Sequence, residues 1–137
     1  MNVDELAEIH AAAFTTPRPW GRDEFAQLLA SPHTFLVTRN DSFALGRVTL
    51  DEAELLTLAT LPTSRRKGLA RTCLQRFDQK ASELGAISAF LEVAQTNQAA
   101  IALYRSAGWQ PTGKRPNYYV NPAGTRIDAQ IMGKSLP

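Results

Sequence analysis

Ser64-Arg65-Arg66-Lys67-Gly68-Leu69-Ala70 is the stretch at which the periodicity of the chain changes. Before it, Glu54 to Thr60 is a short apolar run ended by Pro62, the pattern of a central buried strand. After it, Leu69, Cys73, Phe77, Ala81 and Leu84 recur at helical spacing, and Gly85 supplies a C-terminal stop. A strand that runs into a Gly-containing turn and then a helix is an anion-binding device, because the first N–H groups of a helix have no intrahelical partner. The missing side chain of Gly68 lets a bulky diphosphate approach the backbone, while Arg65, Arg66 and Lys67 add countercharge. Neither the G-x-x-x-x-G-K-S/T loop nor the G-x-G-x-x-G fingerprint is present, which weighs against nucleoside triphosphates and dinucleotides. Taken alone, R-x-x-G-x-A reads more readily as the start of an ordinary basic helix than as a phosphate site.

On the N-terminal side, Leu6, Ile9, Ala13 and Phe14 recur at helical spacing behind Asp4 and Glu5, predicting a helix from Val3 to Phe14. Pro17, Pro19 and Gly21 break the pattern, and Asp23 to Leu29 resumes it with Phe25, Leu28 and Leu29. Thr34 to Thr38 and Phe43 to Leu50, joined by Asn40-Asp41, read as a hairpin. On the C-terminal side, Ala89 to Val93 is strand-like, and Asn97 caps a short helix over Ala99 to Ala107 that Gly108 stops. Trp109 to Lys114 and Ile127 to Met132 read as the last two strands. The order helix, helix, strand, strand, strand, helix, strand, helix, strand, strand predicts one α/β domain over residues 1–137, with a single mixed sheet.

Composition narrows the function classes. A length of 137 residues suits one compact domain with one site. No apolar run approaches the roughly 18 residues needed to span a bilayer, so no membrane segment is expected. A formal charge of +2 is too small for a dedicated nucleic-acid binder. The start Met1-Asn2-Val3-Asp4-Glu5 lacks the basic and apolar stretches of a secretory signal, and Cys73 has no second cysteine to pair with. A cytoplasmic location is the expectation. No spacing of His, Cys and carboxylates suggests a metal site; His10 and His33 are isolated.

With Arg65, Gly68 and Ala70 directly after a buried strand, the chain resembles the GNAT acetyltransferases, whose acetyl-CoA signature is Q/R-x-x-G-x-G/A after their fourth strand. The resemblance extends through Leu91-Glu92-Val93, Thr96-Asn97, Ala99 to Tyr104 and Ala107-Gly108-Trp109. Pro19-Trp20, Asn117-Tyr118-Tyr119 and Asp128 to Met132 are similar to the RimI-type branch, which acetylates N-terminal alanine of ribosomal protein. The family usually begins with a strand, whereas here the helical pattern starts near Met1. An uncovered sheet edge invites pairing, so the resemblance leaves a homodimer or partner-paired form open.

The resemblance implies acetyl-CoA as cosubstrate, a protein or peptide N-terminus as acceptor, Glu92 as general base and Tyr104 as the acid for the departing thiolate. Leu58, Ala59 and Thr60 would offer backbone groups to pantetheine, Asn97 would touch the same arm while capping its helix, and Arg65, Arg66, Lys67, Gly68, Leu69 and Ala70 would hold the pyrophosphate. Trp20, Tyr118 and Tyr119 would line the acceptor groove. Each assignment has a plainer competitor: Glu92 as a strand residue paired with Arg105, Tyr104 as a core aromatic, Asn97 as a cap alone, and the three aromatics as cover for the end of the sheet. Cys73, among Leu69 and Phe77, reads as inert packing rather than an acyl-carrying nucleophile. A small-molecule amine as acceptor, or a catalytically silent CoA-binding regulator, are the alternative functions.

Overall fold

The computed structural model describes residues 1–137. Its elements are α1 (Val3–Ala13), α2 (Arg22–Ala30), β1 (Thr34–Arg39), β2 (Ser42–Thr49), β3 (Glu52–Thr60), a 3-10 turn (Pro62–Ser64), α3 (Leu69–Glu83), β4 (Ser88–Ala94), α4 (Gln98–Ser106), β5 (Gln110–Val120) and β6 (Arg126–Ser135). Local chemistry sets several of these bounds. Asn2 caps α1, its Oδ1 accepting from the Glu5 N–H at 2.9 Å. Gly85 and Gly108 follow α3 and α4 with positive φ, as helix terminators do.

The sheet order is β1-β2-β3-β4-β6-β5. Only β3 and β4 run parallel; every other neighbour is antiparallel. Both faces are covered. Cys73, Leu74 and Phe77 of α3 pack with Ala44, Leu55, Leu91 and Trp109 on one face, with Ala100, Ile101 and Leu103 of α4 against the same core. On the other face, Leu6, Ile9 and Phe25 from α1 and α2 meet Phe43, Leu45 and Ala59. The alternation Phe43, Ala44, Leu45 along β2 serves both cores, as the two-residue period of a strand requires. Cys73 is fully buried in this packing, and burial raises its thiol pKa.

Two irregularities shape the sheet. Leu45 pairs with Thr57 and Gly46 with Leu55, leaving Leu56 as an extra residue on β3. This bulge switches the faces: Leu55 lies in the α3 core, whereas Ala59, four residues on, lies in the α1/α2 core. The second lies in β5, which continues past Lys114 to Val120 instead of stopping there. Pro116 interrupts the sequence pattern, and a register shift between Arg115 and Tyr119 absorbs it. Asn117, at φ 54°, is held by its N–H donating to Asp128 Oδ1 at 2.8 Å. The resulting strand carries Tyr118 and Tyr119. No strand precedes α1, so β1 forms one edge of the sheet.

Candidate active site

The turn from Pro62 to α3 is built to present its backbone. Ser64 is buried and its Oγ donates to Asp41 Oδ2 at 2.8 Å, tying the turn to the β1–β2 hairpin. Arg66 and Gly68 then take left-handed conformations, at φ 65° and 74°. Gly68 is the cap of α3 and has no side chain to occupy the helix end. None of the N–H groups from Arg66 to Arg71 donates to another group of the protein. A Cβ at Gly68 would meet nothing within 4 Å, so the cradle opens outward. Unpaired donors, open space and three adjacent cations form a donor set that fits a diphosphate. Leu69 contributes only its N–H, because its side chain is buried in the molecule.

From this cradle a channel runs along the sheet, lined by Arg65, Ala70, Leu58, Thr60, Asn97 and Tyr104. It exists because β3 and β4 part company: their pairing ends at Leu55 with Leu91, although the strands continue to Thr60 and Ala94. The side chains of the free stretch are engaged elsewhere. Ala59 is in the α1/α2 core, and Thr60 Oγ1 lies 2.8 Å from Ser42 Oγ. Backbone groups are what Leu58 to Thr60 offer the slot, with the bulge itself two residues earlier at Leu56. Asn97 caps α4 by accepting from Ala100 N–H at 3.2 Å, and it also borders the channel.

The channel meets a second cavity on the far side of the slot, bordered by His10, Trp20, Thr57, Glu92 and Tyr119. Tyr104 and Asn97 border both spaces, so they stand at the junction. Tyr104 is 7% exposed and packs edge-on against Trp109 at 6.2 Å. Burial, reinforced by the neighbouring Tyr119, holds its phenol pKa well above the ordinary tyrosine value, so it enters a reaction protonated. Glu92 sits on β4 with its side chain 14% exposed, and its Oε1 takes the Arg115 Nε at 2.8 Å. Its partner is therefore Arg115 of β5 and not Arg105. Arg115 also lies over the ring of Tyr118 at 5.5 Å, and Tyr118 packs edge-on against Tyr119 at 5.0 Å. Of the two tyrosines only Tyr119 borders the cavity; Tyr118 is 51% exposed beside Arg115. Burial first, then Glu92, raises the Tyr119 pKa.

His10 is the residue that sequence reading left aside. It is 1% exposed and stacked between Phe14 and Trp20, with centroids 4.4 and 5.0 Å away. Its Nδ1 accepts the Trp20 backbone N–H at 2.9 Å, and its Nε2 lies 3.0 Å from Thr57 Oγ1. Burial lowers its pKa to about 4, against an opposing pull from Glu24, so the ring is neutral at physiological pH. The signal present in the sequence was a histidine on the apolar face of α1, one turn after Leu6 and one before Phe14. No group of three or more His, Cys, Asp or Glu side chains is arranged to hold a metal ion. No helix is long and apolar enough to cross a membrane.

The family model described as the acetyltransferase (GNAT) family matches residues 3–109. The chain belongs to the GNAT acetyltransferase family. This GNAT chain is 38% identical over 118 residues to the ribosomal protein bS18-alanine N-acetyltransferase of Escherichia coli K12, covering 83% of this chain and 79% of the relative. It is 33% identical over 139 residues to the corresponding enzyme of Haemophilus ducreyi, covering 98% of this chain and 94% of that one. The crystal structure of the Escherichia coli ribosomal-protein-S18-alanine N-acetyltransferase superposes with a TM-score of 0.87 at 32% identity, over 98% of this chain and 87% of the other. Arabidopsis thaliana NAA60, determined with acetyl-CoA, shares the fold at a TM-score of 0.85 and 16% identity, over 98% and 93% of the two chains. The GNAT enzyme described here is an N-acetyltransferase that uses acetyl-CoA.

Proposed function

We propose that the enzyme acetylates the N-terminal α-amine of a protein by direct transfer from acetyl-CoA, with the N-terminal alanine of a ribosomal protein as acceptor. The observation that carries this reading is the junction at Tyr104, where the channel from the phosphate cradle opens into a cavity bordered by Glu92. The identity to ribosomal protein bS18-alanine N-acetyltransferases supports the acceptor assignment. A ribosomal acceptor is met in the cytoplasm, where the proposal puts the enzyme.

The cosubstrate supplies the activated acetyl group. The Arg66 to Arg71 N–H groups, with Arg65, Arg66 and Lys67, would hold its pyrophosphate, and the backbone of Leu58 to Thr60 would hold its pantetheine arm. Transfer requires a neutral amine. An α-amine has a pKa of roughly 7.7 to 8.0 against about 10.4 for lysine, so a single carboxylate suffices to take its proton. Glu92, held by Arg115 at Oε1 and with the Tyr118 hydroxyl beside its carboxylate, would accept that proton directly or through one water. As the amine nitrogen bonds to the acetyl carbon the carbon–sulfur bond breaks; Tyr104 gives its proton to the sulfur, and the proton that the nitrogen sheds on becoming an amide returns to the phenolate through solvent. What supports this role is position: the Tyr104 side chain borders both the channel and the cavity, where the departing sulfur would lie. Trp20 and Tyr119 wall the cavity in which the acceptor chain would lie.

The test is a mass-spectrometric screen of short peptides with free N-termini beside small amines, with acetyl-CoA supplied. Acetylation confined to peptide α-amines is the expected result. Turnover of small amines alone would assign a different acceptor class, and no turnover with any acceptor would leave a CoA-binding regulator.

A further inference from the structure

His10, Thr57 and Trp20 join three elements that come together at the acceptor cavity, and their hydrogen bonds determine where each proton lies. His10 Nδ1 accepts from the Trp20 backbone N–H. A neutral imidazole carries one proton, which must then be on Nε2, and Nε2–H donates to Thr57 Oγ1 at 3.0 Å. With its oxygen engaged as acceptor, the Thr57 hydroxyl has its own proton left, and no group of the protein receives it. Thr57 is 8% exposed and borders the same cavity as Glu92 and Tyr119. The bulge at Leu56 is what aims it there, since it turns Thr57 toward α1 and away from the α3 core.

We infer that His10 is a positioning residue that orients the Thr57 hydroxyl as a hydrogen-bond donor to the first backbone carbonyl of the acceptor peptide. The inference rests on the reading of this cavity as the acceptor site. A peptide carrying a free α-amine presents a carbonyl oxygen two bonds from the carbon that bears the nitrogen, so an amine placed at Glu92 brings that oxygen along the neighbouring wall. The stacking of Phe14 and Trp20 on the imidazole holds the ring in the one orientation that serves both bonds.

The experiment measures KM for peptide and for acetyl-CoA separately, in the parent and in Thr57→Val, Thr57→Ser and His10→Phe. Thr57→Val is expected to raise the peptide KM about tenfold, the cost of one hydrogen bond, with the acetyl-CoA KM unchanged. Thr57→Ser restores the hydroxyl and should return the peptide KM to near the parent value. His10→Phe keeps the stack, loses both polar contacts, and should move the same constant. Nitrogen-15 correlation spectra of the imidazole read the tautomer independently of activity, and the proton is expected on Nε2. A proton on Nδ1, an unaltered peptide KM in Thr57→Val, or an equal rise in both KM values overturns the inference. Failure of the acceptor reading has a different signature: the unsubstituted protein turns over no peptide, and both ideas fall together.

Discussion

Glu92 and Arg115 lie 23 positions apart in sequence yet share one ion pair at 2.8 Å, and that pair sets how the carboxylate is presented. Glu92→Gln keeps the shape and removes the proposed base, so kcat should fall by roughly 100- to 10,000-fold with little change in acetyl-CoA affinity. Single-turnover kinetics with calorimetric acetyl-CoA binding would check it, and a near-parental kcat would end the assignment. Tyr104→Phe removes one oxygen and retains the edge contact with Trp109. Its kcat should drop while the fold and the acetyl-CoA dissociation constant hold, as read by the same two measurements.

His10 allows a stability prediction with a defined sign. Its folded pKa of about 4 lies below the ordinary 6.5, so between those values the unfolded chain binds more proton than the folded one. Stability therefore rises with pH through that window and is lost as pH falls from 6.5 toward 4, by up to about 3 kcal/mol from this residue. Urea midpoints of the parent and His10→Phe at pH 7 and pH 4.5 report it: the parent should lose more on acidification, and parallel losses would refute the buried neutral ring. None of this was legible along the chain. The contacts of His10 reach Thr57, 47 residues away, and depend on a bulge that strand patterning does not announce. Arg115 was hidden for a similar reason, since Pro116 made the strand look finished before the arginine could be placed opposite Glu92.

At the scale of elements the helices and strands were readable, because each combines a clear period with a chemical stop: Pro62 after β3, Gly68 before α3, Gly85 and Gly108 after α3 and α4. The turn with its unpaired N–H groups was readable too, being encoded in seven consecutive residues. Less visible was the dependence of α3 on Gly46. Phe35 and Phe77 stack across that position at 5.5 Å, and a Cβ there would sit 2.7 Å from the Phe77 ring. Both rings are held in the core, so neither can retreat freely. Gly46→Ala should cost about 1 to 3 kcal/mol or more through overpacking. Denaturant unfolding measures it, and a variant as stable as the parent would show that the two rings can shift.

At the scale of the whole molecule, the channel and the second cavity share Leu58, Asn97 and Tyr104 in their walls, so both are bounded by β3 and α4. Acetyl-CoA at about 100 times its dissociation constant should stabilise the folded state by about 2.7 kcal/mol, raising Tm by roughly 9 °C for a chain of this length. Differential scanning fluorimetry with acetyl-CoA against an equimolar adenosine control reads this directly, and equal shifts for the two would argue against occupancy of the slot.

The parallel seam that makes the opening has a mechanical meaning as well. Four residue pairs join β3 to β4, where β4 and β6 are joined by seven. Pulled apart, the two half-sheets would yield first along this line, like a zipper already part undone. A cosubstrate held as proposed, on the free edge of β3 and against α4, would act as a stitch beyond the last tooth. The enzyme should therefore be tougher under force when loaded than when empty, a difference that a single-molecule stretching measurement would register as a higher rupture force.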